Sequence, residues 1–264
     1  MENLKLMELL EQFKAETKQP AIRLTTRRSD HITPTNSKFG GLPYLPKNFA
    51  YPTDDKGNPL KLLAQLNFGE LPPLADFPSE GILQFFVLAD ESIGTDGGDY
   101  KVIFHDKINE NDQMTDFPEI KFVRKNLRRK ESEWFPFEGE FLLTGELVDV
   151  PINWTLEEFG VELERFAESR SDVDFDELLE FAEDDSIFEP AEIHSIGGYP
   201  WFAQDDRRPN GSTLLFQMSS EFGSEIPEED QIMWGDAGVA NFFIDLADLR
   251  NLKFDDVLYN WDCG

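Results

Sequence analysis

The chain of 264 residues contains one cysteine, Cys263. A single thiol excludes an internal disulfide and a zinc site built on cysteines, and it suits a reducing compartment. Histidine is nearly as scarce: His31, His105 and His194 lie far apart and none forms a His-x-x-x-His pair, so neither metal nor cofactor is expected. No apolar run approaches the roughly 20 residues that cross a bilayer, and no membrane span is expected. The opening MENLKLMELLEQFKAE lacks the basic start and unbroken apolar stretch of a secretory signal, because Glu2, Lys5, Glu8, Glu11 and Lys14 interrupt it. The expected location is therefore the cytoplasm. Reaction motifs are missing too: there is no G-x-S-x-G, no G-x-x-x-x-G-K and no G-x-G-x-x-G after a strand. Cys263 has no signalled base beside it and reads as a packed thiol, not a nucleophile.

Positive charge is also short, with 24 basic against 53 acidic residues and a formal charge of −29. Such a field repels phosphate backbones, so direct nucleic-acid binding is not expected. The imbalance is uneven. Fifteen acidic and two basic residues fall between Glu157 and Glu192, whereas KFVRKNLRRK, 121–130, carries six basic residues and no acid. The plain reading is two solvated faces that attract each other. The functional one is an acidic docking surface for a basic protein, with Glu177, Glu180, Glu183, Asp184 and Asp185 as contact residues. The spacing of Asp172, Asp174, Asp176 and Glu183 imitates a calcium loop but has Glu177 where the turn-making glycine belongs.

Leu4, Met7, Leu10 and Phe13 recur at helical spacing and predict an N-terminal helix that ends before Gln19-Pro20. A long irregular section follows that helix, in which prolines and glycines from Pro34 to Pro59 are too frequent for helix. Strands are predicted at 61–68, 81–90, 100–105 and 140–150, the last with a bend or bulge at Gly145. Two helices follow, one opened by a Thr155/Glu158 capping box and one capped by Asp174. Strands resume at 213–220, 231–235 and 239–246.

GGLPYLP at 40–46 and GGYPWFA at 197–203 are followed in the same order by LLAQL and GILQFFVLAD, then by LLFQM and GVANFFIDLAD. Three matches in register predict a duplication, about 39–90 and 196–248, with an acidic helical insert at about 154–185. The expected fold is α+β, a single domain of 1–264, mainly antiparallel sheets from two β units about a pseudo-twofold axis.

The repeated residues are the candidate ligand site. Gly40, Gly41, Gly197 and Gly198 permit a positive φ or a close backbone approach, which serves a binding loop or a structural corner. Gln65, Gln84, Gln217 and Asn241 sit among apolar strand residues, so each amide either clamps its own glycine loop or lines a polar pocket. Trp201 follows the second loop as Tyr44 follows the first. WGDAG, with Trp234 and Asp236, is a turn by default and a polar site otherwise.

GGLPYLP, LLAQLNF, ILQFF, LLFQM, MWGDAGVANFFI and the closing WDCG together resemble the YwqG-like family, bacterial proteins grouped as a domain of unknown function, from about Ile22 onward. The resemblance implies a cytoplasmic α+β protein with no assigned activity and no catalytic residues to carry over. Some YwqG-like members look as though they neighbour toxin and immunity systems, which implies a binding role. The expected function is a non-catalytic, immunity-like interaction module for a basic partner; the alternative is a hydrolase or small-ligand site where the two copies meet, using Asp236 and the amides.

Overall fold

A computed structural model describes residues 2–95, 97–124, 134–170, 173–182, 188 and 192–264. Helix α1 spans Glu2–Glu16. Strands β1 (Gln19–Arg27), β2 (Lys38–Gly40), β3 (Lys61–Asn67), β4 (Ile82–Val87), β5 (Tyr100–His105) and β6 (Glu140–Val150) follow. Then come α2 (Phe159–Glu168), α3 (Phe175–Ala182), β7 (His194–Gly197), β8 (Ser212–Ser219), β9 (Val239–Asp245), α4 (Leu246–Arg250) and β10 (Leu258–Asp262).

The ten strands form one sheet in the order β10-β9-β8-β7-β1-β6-β2-β3-β4-β5, and every paired neighbour is antiparallel. Outward from the central β1–β6 pair, β2-β3-β4-β5 and β7-β8-β9-β10 succeed one another in the same sense. Each arm carries one register shift at its second strand, between Leu62 and Ala64 in β3 and between Leu214 and Phe216 in β8. The sheet curls until its ends meet as a nearly closed barrel. Tyr100 Oη donates to Val257 O at 2.9 Å, the Tyr100 and Tyr259 rings lie 5.3 Å apart, and Phe104 packs on Phe254 at 5.2 Å.

Aromatic rings from both arms fill the interior: Phe85 of β4 lies 4.8 Å from Phe216 of β8 and 4.6 Å from Phe242 of β9. The outer faces of the arms are covered as well. Leu214 and Phe243 pack against Leu10 and Phe13 of α1, Leu163 and Phe166 of α2 and Leu178 of α3. Leu62 and Phe86 lie under Leu45, Leu60 and the partly buried Tyr51 and Phe117. Strands buried on both faces have no polar side to show, so the middles of β3, β4, β8 and β9 are apolar runs interrupted by their amides.

The structure departs from the sequence reading at several points. β1, inside a stretch without strand texture, is the spine of the sheet: it pairs with β6 over nine residues and with β7 over four. Its two-residue alternation, Ile22 and Leu24 buried with Arg23 and Thr25 exposed, is confined to those four residues. Strands β2 and β7 are too short to display a period. QIMWG forms a single bridge, Glu221 to Ile232, not a strand. Gly145 shifts no register; a Cβ there would stand 2.7 Å from Leu71 Cδ2 and 2.9 Å from Ile22 Cγ2, so the glycine admits neighbouring side chains. The Thr155 capping box does not form, because α2 starts at Phe159 and Thr155 Oγ1 donates instead to Asn153 Oδ1. Asp174 does cap α3, its Oδ1 accepting from Glu177 N at 3.1 Å.

Phe85 joins the two arms through the interior, and its replacement leaves a cavity that neither arm can close alone. Phe85→Ala is expected to cost about 3–5 kcal/mol, read from chemical denaturation at constant m-value.

Candidate functional site

Both glycine pairs are left-handed, with φ of 64° and 69° at Gly40 and Gly41 and of 67° and 73° at Gly197 and Gly198. Space as well as φ demands glycine: a Cβ on Gly40 would stand 2.3 Å from Gly139 O, and one on Gly198 would stand 2.8 Å from Ala21 Cβ. Each pair is a corner that turns the chain off the sheet and hands the following segment to the amides.

In the first arm Gln65 of β3 uses all four of its hydrogen-bonding positions. Its Nε2 donates to Pro34 O and Asn36 O, both at 2.8 Å; its Oε1 accepts from Tyr44 N and from Gln84 Nε2, both at 2.8 Å. Gln84 of β4 also donates to Tyr44 O at 2.6 Å. Its Oε1 meets His105 Nε2 at 3.1 Å; an amide oxygen can only accept, so the imidazole carries its proton on Nε2. The second arm repeats the scheme. Gln217 Nε2 donates to Ile193 O at 2.8 Å, Gln217 Oε1 accepts from Trp201 N at 2.9 Å, and Asn241 Nδ2 donates to Trp201 O at 3.0 Å. All four amides are buried and engaged with backbone, each group within its own arm.

The arms differ beyond these shared bonds. His105 stands opposite Ile82 on the strand beside β4, and Asp262 stands opposite Val239 on the strand beside β9. Asp262 accepts from Ala203 N and Gln204 N, while Asn241 Oδ1 is buried without a hydrogen-bond partner among the described residues. Burial holds His105 below the ordinary imidazole range against the pull of Asp106, and burial raises the Asp262 carboxyl above its ordinary range.

WGDAG is a turn. Gly238 N donates to Trp234 O at 2.7 Å, Asp236 is exposed, and Asp236 O accepts from Gly264 N at 3.1 Å. Trp234 is fully buried against Trp261, 5.8 Å between rings. Neither residue bonds to the amide groups, so the structure gathers the candidates into two clamps and a separate turn.

Several polar residues escaped sequence reasoning. His194 Nδ1 accepts from Ser219 N at 3.1 Å, which places its proton on Nε2, 3.1 Å from Glu221 Oε2; Thr26 Oγ1 donates to the same oxygen at 2.7 Å. The bond from His194, chiefly, holds the Glu221 carboxyl below its ordinary range. Thr26 of β1 lies 195 residues from Glu221, and His194 of β7 lies 27 from it, so the group leaves no local signal. Lys38 is sealed in the sheet; burial lowers its ammonium to about 8 against the pull of Glu140 and Glu70, and Nζ donates to Thr33 O at 3.1 Å. Gly198 lines a cavity of about 400 Å³ between the second corner, the start of α2 and the loop 206–212. Arg208 in its wall donates to Asp206 through Nε at 3.1 Å and Nη2 at 2.6 Å, and also to Glu158. Asn210-Gly211 is a legible turn signal, but nothing in it announces a cavity. No group of three or more His, Cys, Asp or Glu side chains that could hold a metal occurs among the described residues. No described helix is long and apolar enough to cross a membrane.

The sequence profile of a family described as a domain of unknown function, DUF1963, matches residues 37–263, from just before the first glycine corner to Cys263 in the WDCG stretch. The chain belongs to this family. A search of curated proteins finds no match. The DUF1963 match contains both clamps whole except for Pro34 O and Asn36 O, which Gln65 reaches across its N-terminal boundary.

Two outcomes follow from the clamps of this DUF1963 chain. Gln65→Leu strands buried backbone groups and is expected to destabilise by at least about 1–3 kcal/mol, with Gln217→Leu similar. Because the clamps share no bond, the double variant should be additive within about 0.5 kcal/mol in denaturant titrations. His105 adds a pH dependence. Its folded pKa is depressed below the unfolded 6.5, so the unfolded chain takes up the proton first; stability is complete above 6.5 and is lost as pH falls below it. Melting temperature followed from pH 7 to 5 should decline less steeply for His105→Gln than for the unaltered chain.

Proposed function

We propose that the chain is a stoichiometric binding module whose acidic helical face docks a basic protein. The observation that carries this is the distribution of unspent charge on α2 and α3. The two arginines of the segment are consumed internally, Arg165 by Glu162 and Arg170 by Glu16 of α1 and the Phe166 ring. Glu164, Glu168, Glu177 and Glu180 are exposed and have no ion pair among the described residues. Glu183, Asp184 and Asp185 lie outside the described residues, as does most of the basic run, 125–130; within that run Lys121 pairs with Glu119. Like charges gathered on one face repel each other and steer a cationic partner toward it.

The hydrolase reading has less behind it. The four amides are bound to backbone, His194 has both ring nitrogens engaged, and Asp236 stands on a turn apart from either. We read the two arms as copies of one β unit, 39–90 and 196–248, about a pseudo-twofold axis in a single domain of 1–264 with a helical insert at 154–185. Supporting this are the common strand order, the matching register shifts and the repeated amide bonds. The resemblance to YwqG-like proteins supports an immunity-like role in the cytoplasm, with no cofactor and no direct contact with nucleic acid or membrane.

Replacing Glu177, Glu180, Glu183, Asp184 and Asp185 together by their amides should leave the melting temperature equal or higher, because repulsion is relieved. Association with a defined basic peptide, hexalysine, should slow roughly tenfold at low salt and much less at high salt, measured by stopped flow. A fall in melting temperature with unchanged association would mean that these carboxylates serve internal pairing and would overturn the docking role.

A further inference from the structure

We infer that the cavity beside Gly198 is the anchor of that docking surface, a pocket that receives one lysine side chain of the basic partner. The inference rests on the binding role proposed above and adds a specific contact to it. The cavity measures about 400 Å³, within the range of roughly 300–1,000 Å³ over which small ligands are held, so it suits a single side chain with its flanking main chain. Its charged wall consists of Glu157, Glu158, Asp206 and Arg208. Arg208 is tied to Asp206 and Glu158 and is only 16% exposed, so it has little to offer an incoming anion. Glu157 is exposed and has no ion pair among the described residues. Three carboxylates against one guanidinium leave the wall negative, and an ammonium group is the ligand that corrects it.

One further feature fits a lysine. Tyr199 lines the cavity, and burial raises its phenol above the ordinary range, assisted by the charges of Glu158 and Glu162; it stays a neutral hydroxyl that can accept from an ammonium. The cavity also adjoins the charged face, since Glu157 and Glu158 immediately precede α2. Long-range attraction by the face and capture by the pocket are then separate steps of one association.

The test uses the full chain and calorimetric titration with hexalysine, with the fully acetylated peptide as control. Thr213→Trp fills the cavity without changing any charge, and Asn210→Trp does the same from an exposed loop position should the first variant melt early. Glu157→Gln removes charge and keeps shape. Glu177→Gln with Glu180→Gln alters the outer face and leaves the cavity intact. The filling variants and Glu157→Gln are expected to weaken hexalysine binding about tenfold or more, while the α3 pair weakens it only a few-fold and mainly at low salt. Filled variants that fold and bind as tightly as the unaltered chain would overturn the lysine pocket; if the α3 pair then lowers affinity, the acidic docking face survives. Absence of any salt-sensitive binding to hexalysine would remove the docking reading itself.

Discussion

A buried glutamine with every hydrogen-bonding position filled is the constraint on which the first arm depends. Gln65 lies in a strand covered on both faces, where an unpaired amide would be costly, and it is kept there by ties to three backbone groups and one side chain. Those ties fasten the segment before β2 and the segment after the glycine corner to the same point. The left-handed glycines are needed because the chain must leave β2 and present Tyr44 N and O to the two amides within four residues. Pocket-lining was the other reading of these residues; with Gln65 donating to two backbone oxygens and Gln84 to Tyr44 O and Gln65 Oε1, neither amide has an N–H left for a ligand.

The second arm keeps the plan and loosens its execution. Asn241 is one methylene shorter than Gln84 and reaches Trp201 O but not Gln217, and its oxygen is left without a partner among the described residues. An acid, Asp262, stands where the first arm has an imidazole, and it turns toward Ala203 N and Gln204 N instead of the amide. The large cavity described above lies on this looser arm. If the arms arose as copies, one kept the tight scaffold and the other was free to acquire polar and acidic additions.

Much of this was legible in the sequence, for physical reasons that also mark where reading failed. LLAQL, ILQFF, LLFQM and ANFFI are visible as strands because burial on both faces removes everything polar except the amides, and the repeated GG-x-P marks the corners. β1 was not legible, although it is the spine, because its alternation runs only from Ile22 to Thr25 and its partners lie more than a hundred residues away. Separation also hides Thr26, 195 residues from Glu221, and His194, 27 residues from it, from any local pattern. The start of α2 was misplaced because a correct capping spacing at Thr155 was claimed by Asn153. For the cavity, Arg208, Asp206 and Glu158 look like ordinary surface charge until the fold brings them together.

The sheet ends on itself, and this has a consequence for how the molecule meets copies of itself. Among the described residues β5 and β10 are the two strands with a neighbour on one side only, the kind of edge along which unrelated chains add strands and aggregate. Here the two edges face each other across a seam of tyrosines and phenylalanines, with Tyr100 bonded to Val257 O. Rings, not a backbone ladder, occupy the place where a foreign strand would dock. Aggregation resistance in this fold thus has a steric source that salt cannot screen, alongside the electrostatic one supplied by a charge of −29.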